Sequence, residues 1–194
     1  NTLSPGDKLL MAETGEFATL WNKIAIKLGF EPEFIEGDWR HGAPADVIET
    51  RLAEDKGHQI KAVCVVHNET STGVVSNVKN IREALDATNH PALLLADTIS
   101  SLGSVDFKHD DWQVDVTIAG SQKGLMLPPG LSFNAISKKA LAASETNTYK
   151  RSYWDWQPMI TNNATGFYPY TPSTNLLYGL REALDMLFEE GLDN

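Results

Sequence analysis

Short, continuously apolar runs alternate along this chain with longer stretches whose apolar residues recur at helical spacing. The runs are the signature of strands buried on both faces, and the periodic stretches that of helices packed by one side. Strands are predicted at residues 8–12, 33–36, 60–66, 92–96, 114–119 and 131–136. A helix follows Glu13-Thr14-Gly15, with Leu20, Ile24 and Leu28 at helical spacing and Gly29 as its stop. Further helices are expected at residues 47–55, after the loop Gly42-Ala43-Pro44-Ala45-Asp46, at 78–88 and at 138–143. Residues 149–170 are rich in aromatics, Asn and Pro without a clear period, which predicts a long ordered excursion across a surface. Thr171-Pro172-Ser173 then starts a last helix, with Pro172 suited to its first turn. Leu176, Leu177, Leu180, Leu184 and Leu187 line one side of it and predict core packing. Alternating strands and helices predict an α/β fold, a mostly parallel sheet sandwiched by helices.

Composition narrows the class. The chain has 194 residues, 42% hydrophobic and 22% charged, enough for one large domain with a sizeable core. There are no repeats, low-complexity segments or linkers. A formal net charge of -10 argues against nucleic acid or an anionic membrane surface as a general partner, though not against a local pocket for a phosphate. No apolar run approaches the length of a membrane span, and no signal-peptide pattern opens the chain. The single cysteine, Cys64, sits inside an apolar run and cannot form an intrachain disulfide. It reads as a small buried residue in a reducing compartment, the cytoplasm. The chain opens on Asn1 without a methionine and stops at Leu192-Asp193-Asn194 directly after a helix, so it is expected to be part of a longer polypeptide.

In an open parallel sheet, ligands bind at the carboxyl ends of the strands. Three polar loops follow buried strands here, at residues 69–73, 97–103 and 121–130, and should meet on one edge. Lys123 lies in Gly120-Ser121-Gln122-Lys123-Gly124, delivered by an apolar strand. An amine in a partly dry pocket loses its proton readily and forms a Schiff base with an aldehyde. Asp97 ends another buried strand. A lysine to hold the aldehyde carbon and an aspartate to hold the pyridinium proton are what pyridoxal phosphate requires. The competing readings are a solvated lysine in a turn and an aspartate that caps one.

With these residues in view, the chain resembles the class V aminotransferases, of fold type I among pyridoxal-phosphate enzymes. The resemblance lies in His67-Asn68-Glu69-Thr70-Ser71-Thr72-Gly73, in Ala96-Asp97-Thr98-Ile99-Ser100-Ser101-Leu102-Gly103, and in residues 119–130 around Lys123. Arg151-Ser152-Tyr153-Trp154-Asp155-Trp156 and residues 168–178 are similar to the serine–glyoxylate branch, with the alanine–glyoxylate branch next to it. The likeness runs from Asn1 to Asn194. It implies that Lys123 forms the Schiff base and shuttles the substrate's proton, and that Asp97 pairs with the ring nitrogen. It implies further that Ile99 packs against one face of the ring and Phe17 stacks on the other, Phe17 as plain core being the alternative. Thr70 would bond the ring oxygen or the phosphate side and Gln122 the phosphate, the alternative for both being a satisfied loop polar group. Tyr168 and Thr171 fall in the segment that reaches across a two-fold axis to the partner's phosphate, which implies a homodimer with a composite site. Tyr168 capping an aromatic cluster with Phe167 and Tyr170 is the competing reading. His67 reads best as a hydrogen-bonded strand-end histidine, Glu69 stays open, and Trp154 and Trp156 read as packing residues.

The expected reaction is transamination of a small amino acid, serine or alternatively alanine, with glyoxylate, giving hydroxypyruvate or pyruvate and glycine. The family's phosphate-cradling loop lies upstream of the matched region, and its carboxylate-binding arginine belongs to a C-terminal small domain. Residues 1–194 are therefore expected to be a partial cofactor-binding large domain, with little or no turnover alone. Two other readings remain. Cysteine desulfurases carry a histidine where this chain has Gln122 and need a reactive cysteine, a role for which Cys64 is badly placed. A catalytically silent, dimer-forming scaffold is the other.

Overall fold

In the computed structural model, residues 1–192 are described; Asp193 and Asn194, the end of the expected 1–194 domain, lie outside them. The elements run β1 (Lys8–Ala12), α1 (Glu16–Lys27), β2 (Glu31–Ile35), α2 (Ala45–Glu54), β3 (Ile60–Val66), β4 (Asn68–Glu69) and β5 (Val74–Val75). They continue α3 (Val78–Ala87), β6 (Leu93–Asp97), β7 (Val116–Gly120), β8 (Ser132–Ile136), α4 (Lys138–Thr146), α5 (Trp156–Asn163) and α6 (Thr174–Glu190). The main sheet has the order β2-β1-β3-β6-β7-β8, parallel except for β8, which pairs antiparallel with β7 at the edge. β4 and β5 form a separate small hairpin.

The period of two along β3 sorts its side chains between the two layers. Val63 and Val65 join Leu10 and Leu94 beneath Ile48 and Leu52 of α2 and Ile81 and Leu85 of α3. Ala62 and Cys64 point the other way, with Met11, Leu95 and Val116, toward Ala25 of α1 and Ala140 of α4. Both faces are covered, which is why the strands read as continuous apolar runs. Leu125, Leu127 and Ala183 form a third, smaller cluster, against which Phe133 of β8 and Leu180, Leu184 and Leu187 of α6 pack.

Two expectations are corrected, and a third, the core packing of α6, holds in part. The stripe of α1 at helical spacing faces outward: Leu20, Ile24 and Leu28 are exposed, and the small residues Ala18 and Ala25 are the buried ones. Residues 149–170 contain a helix, α5, started by Asp155, whose side chain accepts the Gln157 N–H. Pro158 is tolerated because N–H groups of a first turn have no helical partner. α5 buries no residue fully, so it leaves no apolar period to find. On α6 the five leucines are half-buried, and Ala183 is the buried residue. Among the described residues no helix is long and apolar enough to cross a membrane.

Candidate active site

The strands β3 and β6 end at one level, where Val66 pairs with Asp97, and β7 runs two residues beyond Ile118, the partner of Asp97. Their loops are stitched together just beyond. The Asn68 side chain donates to Ser100 Oγ at 2.9 Å, and Ser100 Oγ donates to the Asn68 carbonyl at 2.7 Å. Thr98 turns back to β7, donating from both N–H and Oγ1 to the Ile118 carbonyl. Gly124, next to Lys123, lies so close to the loop after Asp97 that an added Cβ would sit 2.2 Å from the Leu102 carbonyl oxygen. The three polar loops therefore meet on one edge, as the strand pattern predicts.

Asp97 is half-buried, and one carboxylate oxygen accepts the Ile99 N–H at 2.9 Å. Burial holds its pKa above the usual carboxylate value, opposed by the Ile99 N–H and reinforced by the charge of Glu69. Neither Asp97 nor Glu69 has a salt-bridge partner among the described residues. Ile99 is half-buried immediately beyond Asp97.

Lys123 is exposed rather than in the partly dry pocket the sequence leads one to expect, and its amine bonds to no described residue. Its carbonyl accepts the Met126 N–H at 2.8 Å in a turn where Met126 takes a φ of 57°. The loop is shaped by Ser121, which is fully buried, donates to the Pro128 carbonyl at 2.7 Å and accepts the Leu131 N–H at 3.2 Å. Ser121 carries no motif signal of its own; a hydroxyl at the end of an apolar run is the only cue. Gln122 is exposed and folds back toward Gly120, where an added Cβ would lie 2.9 Å from its Oε1. Thr70, between β4 and β5, is exposed with its hydroxyl bonded to no described residue. Phe17 sits in the first turn of α1, exposed, its N–H donating to Glu69 at 3.3 Å, and it is not a core residue.

Other residues take structural places. His67 is buried, hydrogen-bonded to Ser101 Oγ at 2.9 Å and packed against the Phe107 ring at 5.1 Å. Burial depresses its pKa, so it is the strand-end histidine the sequence favours. Tyr168 and Thr171 are exposed beyond α5, and no described contact ties them to the loops of Lys123 or Asp97. Tyr168 does not join an aromatic cluster either; Tyr170 pairs with Tyr153 at 5.0 Å. Trp156 packs on the sheet, but Trp154, expected to pack, is 80% exposed. Burial pushes the Cys64 thiol up to about 12, which removes it as a nucleophile.

Two shallow cavities, about 280 and 300 Å³, lie at the opposite edge, around Lys61 and Leu93 and around Lys8 and Ile60. Neither includes Lys123 or Asp97. The chemistry of the carboxyl edge, not its shape, marks the site.

Comparison with known proteins identifies the family of the chain. The model of the aminotransferase class-V family matches residues 1–194. A serine–glyoxylate aminotransferase from Methylorubrum extorquens is 53% identical over all of this chain and 50% of its own length. An L-aspartate–glyoxylate aminotransferase from Paracoccus denitrificans is 47% identical over all of this chain and 49% of its own length. The structure of alanine–glyoxylate aminotransferase from Nostoc sp. superposes with a TM-score of 0.86 at 31% identity, over all of this chain and 51% of that one. The chain thus spans about half the length of the relatives it matches, and its α/β sheet is that of the fold type I enzymes. By its sequence and its fold, this chain belongs to the class-V aminotransferases.

Proposed function

We propose that residues 1–194 form the cofactor-binding part of a large domain in a pyridoxal-phosphate aminotransferase that moves an amino group from serine to glyoxylate, giving hydroxypyruvate and glycine. Alanine, giving pyruvate, is the alternative donor. The observation that carries this reading is Asp97 and Lys123 following adjacent parallel strands on one sheet edge, with their loops in contact. The relatives support glyoxylate as acceptor and differ in the donor they are named for.

The residues fit the cofactor. Asp97 is a partly desolvated acid beside a second acid, with no cation to pair with among the described residues, and a protonated ring nitrogen supplies that cation. Lys123 offers an amine that no described residue engages. Pyridoxal phosphate, when bound, supplies an electron sink for the carbon beside the amino group. Asp97 holds the ring-nitrogen proton through its negative charge. Lys123 Nζ takes the Cα proton of the amino acid and returns a proton on the acceptor's side of the reaction. Ile99 and Phe17 would cover the two ring faces, and Thr70 and Gln122 would bond the ring oxygen and phosphate. Tyr168 and Thr171 would serve a partner's phosphate across a two-fold axis.

The test is direct. Adding pyridoxal phosphate to the full-length protein should give a visible imine band that Lys123→Ala abolishes. Serine should bleach the band and glyoxylate restore it, in two separable half-reactions. A protein that shows no band, or keeps it in Lys123→Ala, is not an enzyme of this kind.

A further inference from the structure

The first turn of α1 is capped from far away in sequence. Its N-cap residue is Gly15, which has no side chain to offer. In its place Glu69 and Ser71 do the capping. Glu69 accepts the Phe17 N–H at 3.3 Å, the Ala18 N–H at 3.1 Å, and the Ser71 N–H at 3.2 Å. Ser71 Oγ donates to Glu69 at 2.7 Å and accepts the Glu16 N–H at 2.9 Å. The first three amides of the helix are thus consumed by two side chains of another loop. Gly15 is required by this arrangement, since a Cβ there would lie 2.5 Å from both Glu69 Cγ and Ser71 Oγ.

Glu69 is fully buried, an unusual place for a carboxylate without a cation. The partial positive charge of a helix N-terminus and the bonds from four donor groups offset that burial. Two consequences follow. The N-terminus of α1 is filled by the protein's own anion, so it is not free to cradle a phosphate. That charge also sits beside the Asp97 loop, since the neighbouring Asn68 exchanges two hydrogen bonds with Ser100, and it adds to the burial that raises the Asp97 pKa.

We infer that Glu69 is a positioning residue, which fixes Phe17 through the first turn of α1 and sets a buried negative charge beside the loop of Asp97. The first effect is steric and the second electrostatic. They act on residues that the proposed function assigns to a face and to the nitrogen of one cofactor ring, so the inference rests on that function for its purpose but not for its geometry.

The experiment uses the full-length protein without cofactor. The Asp97 carboxyl is titrated by carbon NMR, and amide hydrogen exchange is followed at residues 16–18. Glu69→Gln keeps the side-chain volume and removes the charge. It should lower the Asp97 midpoint and speed exchange at Phe17 and Ala18 roughly tenfold, the loss of one good cap. Ser71→Ala keeps the charge, so exchange at Glu16 should rise while the Asp97 midpoint stays. An Asp97 midpoint unmoved by Glu69→Gln, or moved equally by Ser71→Ala, overturns the electrostatic coupling. Unchanged exchange at Phe17 and Ala18 overturns the steric one. A missing imine band would sink the proposed function and leave these results standing, so the two failures are distinguishable.

Discussion

The main sheet treats the acids Asp115 and Asp55 of its amino edge and the pair Asp97 and Lys123 of its carboxyl edge in opposite ways. At the amino edge, Asp115 is buried but accepts the Leu94 N–H at 2.9 Å and the Ser137 hydroxyl at 2.7 Å, with Lys139 3.6 Å away. Asp55 accepts the Ile60 N–H at 2.7 Å and faces His90, and Arg51 bridges Glu33 and Glu54. At the carboxyl edge, Asp97 has one backbone donor and no cation, and the Lys123 amine engages no described residue. Groups of the first kind complete the fold, whereas those of the second kind are left for something the fold does not supply. The difference separates acids that the fold satisfies from one that it leaves open, without reference to cavities.

Replacing one acid at each edge should separate activity from stability. Asp97→Asn is expected to cut transamination by the full-length protein roughly 10³-fold, the scale of losing one preorganised charge interaction with the reacting group. Its folding stability should stay level or rise. Burial raises the Asp97 pKa above 3.8, so at neutral pH the charged form is penalised in the folded state, and an amide escapes that penalty. Asp115→Ala should do the reverse, costing about 3 kcal/mol by leaving the Leu94 N–H and the Ser137 hydroxyl without their acceptor. Urea unfolding and a serine–glyoxylate assay on both variants check this. A destabilised but active Asp97→Asn protein would erase the distinction between the edges.

Much of this arrangement is legible in the sequence, and what is not has identifiable physical reasons. Strands covered on both faces announce themselves by unbroken apolar runs, so β3, β6 and β7, and with them Asp97 and Lys123, can be placed from the pattern. α3 is equally legible, because Val78, Ile81 and Leu85 are all buried by the sheet. α1 has as clear a period but turns Leu20 and Ile24 outward, since it approaches the sheet through Ala18 and Ala25. Periodicity shows that a helix has a face, and residue size shows how closely that face can approach. Ser121 and the Glu69–Ser71 cap escape because they work through backbone groups distant in sequence, which no local spacing encodes. The exposure of Lys123 escapes for a different reason: the apolar approach of β7 speaks for the strand and not for what surrounds the lysine.

Acid sharpens the comparison in a second way. His90 is buried at the amino edge, and its Nδ1 accepts the Ala92 N–H at 3.2 Å, so Nε2 carries the proton that faces Asp55. Burial is the largest influence on its pKa and lowers it, as it does for His67 at the other edge. A depressed folded-state value means that the unfolded chain binds protons first as pH falls. Stability is therefore complete above 6.5, the ordinary histidine value, and declines as pH drops from there through each folded-state value. His90→Gln should flatten part of that decline in a series of urea titrations between about pH 7 and pH 5. A decline of the same steepness in the variant would mean that His90 is charged in the folded state.

The smallest effect compares two helix caps of similar chemistry. Asn77 accepts the Asn80 N–H at 3.0 Å at the start of α3, and Ser137 accepts the Ala140 N–H at 3.0 Å at the start of α4. Asn77→Ala should cost about 1 kcal/mol, the ordinary value of a lost cap. Ser137 has a second task, since its hydroxyl proton goes to the Asp115 carboxylate. Ser137→Ala loses the cap and also removes a donor from a buried acid, so it should cost about 1 kcal/mol more than Asn77→Ala. The excess should disappear when the same change is made in an Asp115→Asn background, where there is no charge to leave short of a donor. Equal costs for the two caps in the wild-type background would show that the amino edge does not depend on Ser137 to hold its acid. The contrast with Asp97, which has a single donor, would then narrow to Lys139 and the Leu94 N–H alone.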